Sequence, residues 1–373
     1  MATNIRSVLE VMKFLEPSTL LHQAWQVSKQ WCEAVDNHEV WCSILSDSYE
    51  DEVIVEAKLY QPGRTAYKWF HETRTSIYTF NDGDRFLDKI RKQEAEKKEE
   101  EFKRQPTFLL HVQLPSKEKS SVALLETYRH AFHASFVWLP PSHLFITGGR
   151  FEDFMEDYSP TYLLFLHDVS VKVLEQTPQI NSPTLIYYNR FVYSFGGSIF
   201  PPGSPAVSQV TARKFSMNAL TWEPLGDGEM PNPHCYGWGE RHNTKIFIIG
   251  GFGSQGSIDE FDTITEAFRT LTIKLPMGTT AKHEALYAIR KDNSLICLTG
   301  QKTFTLGLHE LATDGASVGA EEQLSMDNVW MWNSPSVVTK DTAFFVIFDT
   351  VLYQMDLASK KFEQNNLVGE VAS

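Results

Sequence analysis

The residues KIFIIGGFGSQG, 245–256, hold Gly251-x-Gly253-x-x-Gly256 directly after the apolar run Ile246–Ile249. At the turn from a parallel strand into a helix, that spacing lets backbone amides approach a pyrophosphate. The chemistry also needs an acid about twenty residues on, to hold a ribose hydroxyl. Leu271-Thr272-Ile273 stand there instead, although Ile258, Phe261, Ile264, Phe268 and Leu271 do match one face of a helix. A second candidate is His130-x-x-His133. Alternate residues of a strand share a face, so a spacing of three suits a shared metal poorly. There is no H-E-x-x-H, no Gly-x-Ser-x-Gly and no Walker loop. The expectation is a protein without metal or cofactor that is not an enzyme.

Bulk composition narrows the partners. The 373 residues are 42% hydrophobic and 13% aromatic, enough for a sizeable core. A formal net charge of −13 argues against nucleic acid, whose binding rests on neutralising phosphates, and against an anionic membrane surface. Cys32, Cys42, Cys235 and Cys297 form no C-x-x-C pair and read as reduced thiols of a cytoplasmic or nuclear protein. No apolar run reaches the length of a membrane span, and MATNIRSV lacks the regions of a signal peptide.

The glycine cluster takes on another meaning beside the rest of the chain. HLFITGG ends at Gly149, FVYSFGG at Gly197 and KIFIIGG at Gly251; SLICLTGQ contains Gly300, and AFFVIFD places Phe348-Asp349 at the equivalent point. Positions 148, 196, 250, 300 and 348 are separated by 48, 54, 50 and 48 residues. A second register sets an apolar residue seven positions before another: Phe215 and Trp222, Phe261 and Phe268, Met355 and Phe362, with His167 and Leu174 fitting more loosely. Asp168, Asp262 and Asp356 follow the first member, which suits a strand entering a turn. A period of about 50 residues with glycine pairs resembles the kelch repeat, one blade of a β-propeller per copy. The resemblance implies a mainly β fold of about six blades, one irregular or split, with five or seven as alternatives. Phe80 and Leu87, with TFLLHVQLP (107–115), are candidates for the irregular blade.

Upstream the texture is helical. Val8, Val11, Met12 and Leu15 recur at intervals of three and four, Pro17-Ser18 breaks the run, and Leu20, Leu21, Ala24, Val27 and Trp31 resume it. Val40, Trp41, Ile44 and Leu45 make a third short segment. Val11, Leu15, Glu16-Pro17, Leu20, Val27-Ser28-Lys29-x-Trp31 and Val40-Trp41 resemble an F-box. That likeness implies docking of a Skp-type adaptor, and through it a cullin scaffold, by Val11, Leu15, Pro17, Leu20, Val27, Trp31 and Trp41. The family's opening Leu-Pro falls at Thr3-Asn4, where neither residue fits. The chain thus divides into an F-box-like bundle at 1–48, a linker with helices at 49–104 and a propeller at 105–373. The linker includes DKIRKQEAEKKEEEFKR (88–104), whose seven bases and six acids suit a solvated helix or mobile insertion.

The two resemblances together imply a substrate-recognition subunit like those of SCF-type ubiquitin ligases, with an unidentified target protein on the propeller. Insertions in a repeat protein collect on one face, often the binding face. Here RFEDFMEDYSP supplies Phe151, Asp153, Phe154, Asp157 and Tyr158, and SIFPPGSPAVSQ supplies Phe200. Aromatic anchors among acids suit a basic protein partner. Arg129, His130, His234 and His283 lie near starts of first strands and are candidates for the same surface. One copper oxidase family also builds on kelch blades with converging histidines and tyrosines, so Tyr128 and Tyr236 keep an oxidase reading in view. A non-catalytic kelch scaffold or cytoskeleton-associated protein with a degenerate F-box is the alternative function.

Overall fold

The computed structural model describes residues 76–81, 108–113, 118–123, 132–139, 143–150 and most of 158–366. The F-box-like stretch, the charged run 88–104, and Tyr128, Arg129, His130, Phe151, Asp153, Phe154, Asp157, His167, Phe200 and His283 lie outside the described residues. The chain divides into two units. Every described strand belongs to the larger, Ser76–Val137 with Leu144–Ser373, apart from Trp138, Leu139 and His143 at two strand ends.

Among the described residues the protein is mainly β, with five four-stranded antiparallel sheets in a propeller arrangement and a further three-stranded sheet. The three-stranded sheet is β1 (Ser76–Asn81), β2 (Phe108–Gln113) and β3 (Glu118–Ala123). The first four-stranded sheet orders β4 (Phe132–Leu139), β5 (His143–Arg150), β7 (Thr161–Phe165) and β8 (Ser170–Val173). Beside it, β6 (Tyr158–Ser159) pairs with β9 (Thr177–Pro178). The second sheet is β10 (Thr184–Tyr188), β11 (Phe191–Phe195), β14 (Thr211–Ser216) and β15 (Thr221–Glu229), with β12 (Ser198–Ile199) paired to β13 (Val207–Ser208). The third is β16 (Trp238–His242), β17 (Lys245–Ile249), β18 (Ile258–Asp262) and β19 (Ala267–Thr270). The fourth is β20 (Leu286–Lys291), β21 (Ser294–Thr299), β22 (Lys302–Gly307) and β23 (Glu322–Gln323), with helix α1 (Leu308–Thr313) between its last two strands. The fifth is β24 (Ser336–Thr339), β25 (Thr342–Ile347), β26 (Val351–Asp356) and β27 (Phe362–Asn366).

The first strands β10, β16, β20 and β24 lie side by side in chain order, and β1 lies against β24 and β25. Thus β1 falls within the stretch that the sequence reading assigns to the linker. It pairs with β2 across the charged run, and Phe80 is in register with Leu109 rather than with Leu87.

The seven-residue spacing is a cross-strand ladder. Phe215 pairs with Trp222, Phe261 with Phe268 and Met355 with Phe362, each across the outer hairpin of its sheet. Ring centroids are 5.2 Å apart in the first pair and 4.8 Å in the second. Asp168 Oδ1 accepts the Ser170 amide, Asp262 Oδ1 the Ile264 and Thr265 amides, and Asp356 Oδ1 the Ser359 amide. These short side chains stand in for backbone acceptors and turn the hairpin. The helical reading of Ile258–Leu271 fails here, because Ile264 stands at an exposed turn between β18 and β19.

Both faces of the second, third and fourth sheets meet a neighbour, which explains the unbroken apolar runs of their second strands. Ile246 and Ile248 join Tyr193, Phe195, Leu225 and Phe261 in one core. Phe247 and Ile249, on the opposite face of β17, join Ile258, Leu286, Leu295, Phe304, Leu308 and Leu311 in another. A third core joins Tyr287, Ile289, Ile296 and Leu298 to Ala343 and Met355. Strict alternation of apolar and polar residues is lost because neither face is wet.

The glycine pairs close the second strands against the next sheet. The Gly149 amide donates to Ile180 O at 2.7 Å, and the Gly197 amide to His234 O at 2.6 Å. Gly196 has φ +63°, and a Cβ there would run into the His234 carbonyl. Gly196→Ala is therefore expected to cost at least about 2 kcal/mol, from the left-handed conformation plus the backbone collision. Gly228, with φ +82° and nothing within 4 Å of a Cβ, isolates the conformational part. Gly228→Ala should cost about 1–2 kcal/mol, so denaturant midpoints must rank it clearly above Gly196→Ala.

Candidate functional site at the axial end

The nucleotide-like glycines resolve first. Strand β18 runs antiparallel to β17, and the glycines lead into a strand rather than a helix. Several loop amides are taken up within the protein: Gly250 N donates to Ser257 O, Phe252 N to Cys235 O, Ser254 N to Gly251 O and Ser257 N to Ser254 O. The Gly256 amide donates to Ser254 Oγ at 3.3 Å. Donors already bonded to carbonyls form no phosphate cradle, and a strand carries no helix-terminus field.

Where the chain enters each first strand, a backbone collar links successive sheets. Ser182 N donates to His133 O at 2.7 Å, Tyr236 N to Ser182 O at 3.3 Å and Leu286 N to Tyr236 O at 3.2 Å. His133, Ser182 and Tyr236 have φ of 63°, 50° and 56°. Non-glycine residues seldom adopt that conformation, and at Ser182 and Tyr236 a collar bond on each side holds it. The side chains converge as well. Tyr236 Oη lies 2.7 Å from His133 Nδ1, with the rings edge to face, and Tyr236 also meets the Phe252 ring edge to face.

His234 sits two residues before Tyr236 of the collar and is fully buried. Nδ1 lies 2.6 Å from Gly250 O and Nε2 lies 3.1 Å from Asp259 Oδ2. Asp259 further accepts the Asn232 amide at 3.0 Å, Asn232 Nδ2 at 2.8 Å and Thr270 Oγ1 at 2.7 Å. Burial alone would push its carboxyl upward; the hydrogen bond and charge of His234, with the Thr270 and Asn232 donors, override this and hold it below its ordinary value. Beside it, burial pushes the Cys235 thiol up to about 12, so it stays protonated and inert as a nucleophile.

The expectation that His234 belongs to a partner-binding surface is corrected: both ring nitrogens are engaged inside the protein, and the residue touches no solvent. Tyr158, in β6, is 57% exposed. Val207 on β13 is also exposed. Both stand on short two-stranded sheets, Tyr158 on β6–β9 and Val207 on β12–β13. Asp259 and Ser182 escaped the sequence reading. Asp259 lies in IDEFD beside two other acids, Glu260 and Asp262, and the repeat gives no hint because Ile180 takes the place of its partner His234 in the preceding junction. Among the described residues, no three His, Cys, Asp or Glu side chains gather closely enough to hold a metal ion.

Removing the Asp259 charge should be severe. Asp259→Asn leaves His234 buried without its counter-charge, and loss of about 3–5 kcal/mol is expected in urea denaturation. The pH dependence follows from the depressed carboxyl. The contribution of Asp259 is fully present above its unfolded-state value and is lost as pH falls through the lower folded-state value. Acid titration of wild type and variant should therefore converge at the acidic end.

No protein-family model matches the chain. No curated protein matches it. Among solved structures, one titled "Structure of YjhT" is similar with a TM-score of 0.47 and 14% identity, over 60% of this chain and 74% of that one.

Proposed function

We propose that the chain is a non-catalytic recognition subunit: a kelch-type propeller whose insertion-bearing end holds a target protein, joined to an F-box-like segment that docks a Skp-type adaptor and through it a cullin scaffold. The three-stranded sheet β1–β3 serves as the sixth, shortened blade. The observation that carries this reading is the arrangement of the propeller end. Its inner polar groups are bonded to one another, while the inserted short strands present Tyr158 and Val207 to solvent. Exposed anchors on a rigid rim suit recognition of a protein surface, with the acids of 150–160 favouring a basic one. Such a subunit accelerates modification of its target by raising the local concentration of target beside the conjugating enzyme.

The second reading is a scaffold protein with a degenerate F-box, which Thr3-Asn4 in place of Leu-Pro favours. Co-purification separates the two. The full chain should retain adaptor and cullin, and a form lacking residues 1–45 should lose both. Leu15→Ala and Trp31→Ala should each weaken adaptor binding by about thirtyfold or more. Adaptor binding that survives the deletion, or none by the full chain, would sink the ligase reading.

A further inference from the structure

Strand alternation puts Arg213 and Phe215 on one face of β14, and the Phe215 ring lies 5.0 Å from that of Phe145 in the first sheet. That face therefore looks into the seam between the first and second sheets. Toward the insertion-bearing end the seam turns polar. Ser194 stands opposite Arg213, and Thr147 Oγ1 lies 2.9 Å from Thr161 Oγ1. The register of β14 with β15 shifts between Thr211 and Arg213, an irregularity of the kind that re-aims a side chain. Here the guanidinium is carried across to β9, where Nη1 donates to Thr177 Oγ1 at 3.3 Å.

Other cations of these sheets meet acids. Lys214, on the opposite face of β14, lies 2.6 Å from Glu266; Lys245 lies 3.0 Å from Glu260, and Arg290 3.1 Å from Glu240. Among the described residues Arg213 has no carboxylate at ion-pair distance, in a chain of net charge −13. Glu175, between β8 and β9, turns an oxygen to the Trp222 amide instead, at 2.7 Å. Burial pulls the Arg213 guanidinium below its ordinary value, as expected of a half-buried cation without a counter-charge. A guanidinium carries five N–H donors, and one of them is spent on Thr177. Thr177 is 3% exposed, accepts that bond and keeps its own hydrogen for an acceptor. Two adjacent donor groups thus share a place to which the described residues bring no charged acceptor.

Resting on the reading that this end of the propeller holds a target protein, we propose that Arg213 and Thr177 form an oxyanion site that takes the carboxylate of an acidic side chain on that target. Thr177 pairs with Ser159, the neighbour of exposed Tyr158, so the site borders the strand that carries an aromatic anchor. A planar guanidinium matches a carboxylate with two parallel hydrogen bonds, and the threonine hydroxyl adds a third donor. Glu152, Asp153, Glu156 and Asp157, just before Tyr158 in the sequence, disfavour a phosphate dianion more than a single negative charge. The target therefore presents one acidic residue among the basic ones that those acids attract.

The full chain with isotope-labelled arginine tests the site without adaptor or target, so the outcome is separate from the co-purification that tests the subunit reading. The Arg213 Nε–Hε resonance, assigned by its loss in Arg213→Lys, is followed by NMR during titration with N-acetylglutamate N-methylamide. The only charge of that probe is its side-chain carboxylate. The resonance should shift saturably, while the glutamine analogue and sodium chloride at matched ionic strength should not move it in that way. Thr177→Val, which keeps the shape and removes the hydroxyl, should weaken the probe about tenfold. Absence of a saturable shift in the wild-type chain overturns the proposal, whether or not any variant folds. An equal response to the glutamine analogue or to chloride, or tighter binding of inorganic phosphate than of the probe, equally overturns it.

Discussion

The structure depends on one recurring backbone bond, from the second glycine of a pair to a carbonyl just before the next sheet. Gly149 to Ile180 and Gly197 to His234 are two instances, and the bonds at 2.7 and 2.6 Å require the chains to approach where a Cβ would intrude. A sheet in this arrangement cannot bury its faces alone. Each of the three apolar cores joins two consecutive sheets, as Ile246 and Ile248 do with Tyr193 and Phe195. The glycine junction sets the spacing that lets those faces meet, so local backbone geometry and long-range burial depend on each other.

Much of this was legible in the residues. The pairing of Phe261 with Phe268 and of Phe215 with Trp222 follows from a spacing of seven, because two strands joined by a tight turn put those positions opposite each other. The glycine periodicity marked the strand ends for a steric reason, not a chemical one, and so distinguished the fold from a phosphate-binding turn. The start of the sheets was less legible. Strand β1 pairs with β2 over a long charged interruption, as placing Phe80 and TFLLHVQLP in one irregular blade anticipates, but the spacing of seven to Leu87 misreads the register, since Phe80 stands opposite Leu109.

The candidate site was legible only in part. The insertions that carry Tyr158 and Val207 announced themselves through unequal spacing between repeats. The collar did not, since His133, Ser182 and Tyr236 share a backbone conformation and no side-chain type. The His234–Asp259 pair was hidden for a related reason. It is a single junction's solution, with Ile180 serving the preceding one, and a repeat pattern averages such exceptions away. A histidine near a strand start reads as an accessible polar group until its ring is seen enclosed by Gly250 and Asp259.

The central claim is that the glycine junctions belong to one cooperative unit with the cores they space. Native-state hydrogen exchange at about pH 6, in increasing denaturant, tests it most directly. The Gly149 and Gly197 amides should merge with Phe247 and Ile248 of the central strand into one isotherm and exchange only on global unfolding. Junction amides that exchange through local opening, far below the free energy that protects β17, would contradict the account.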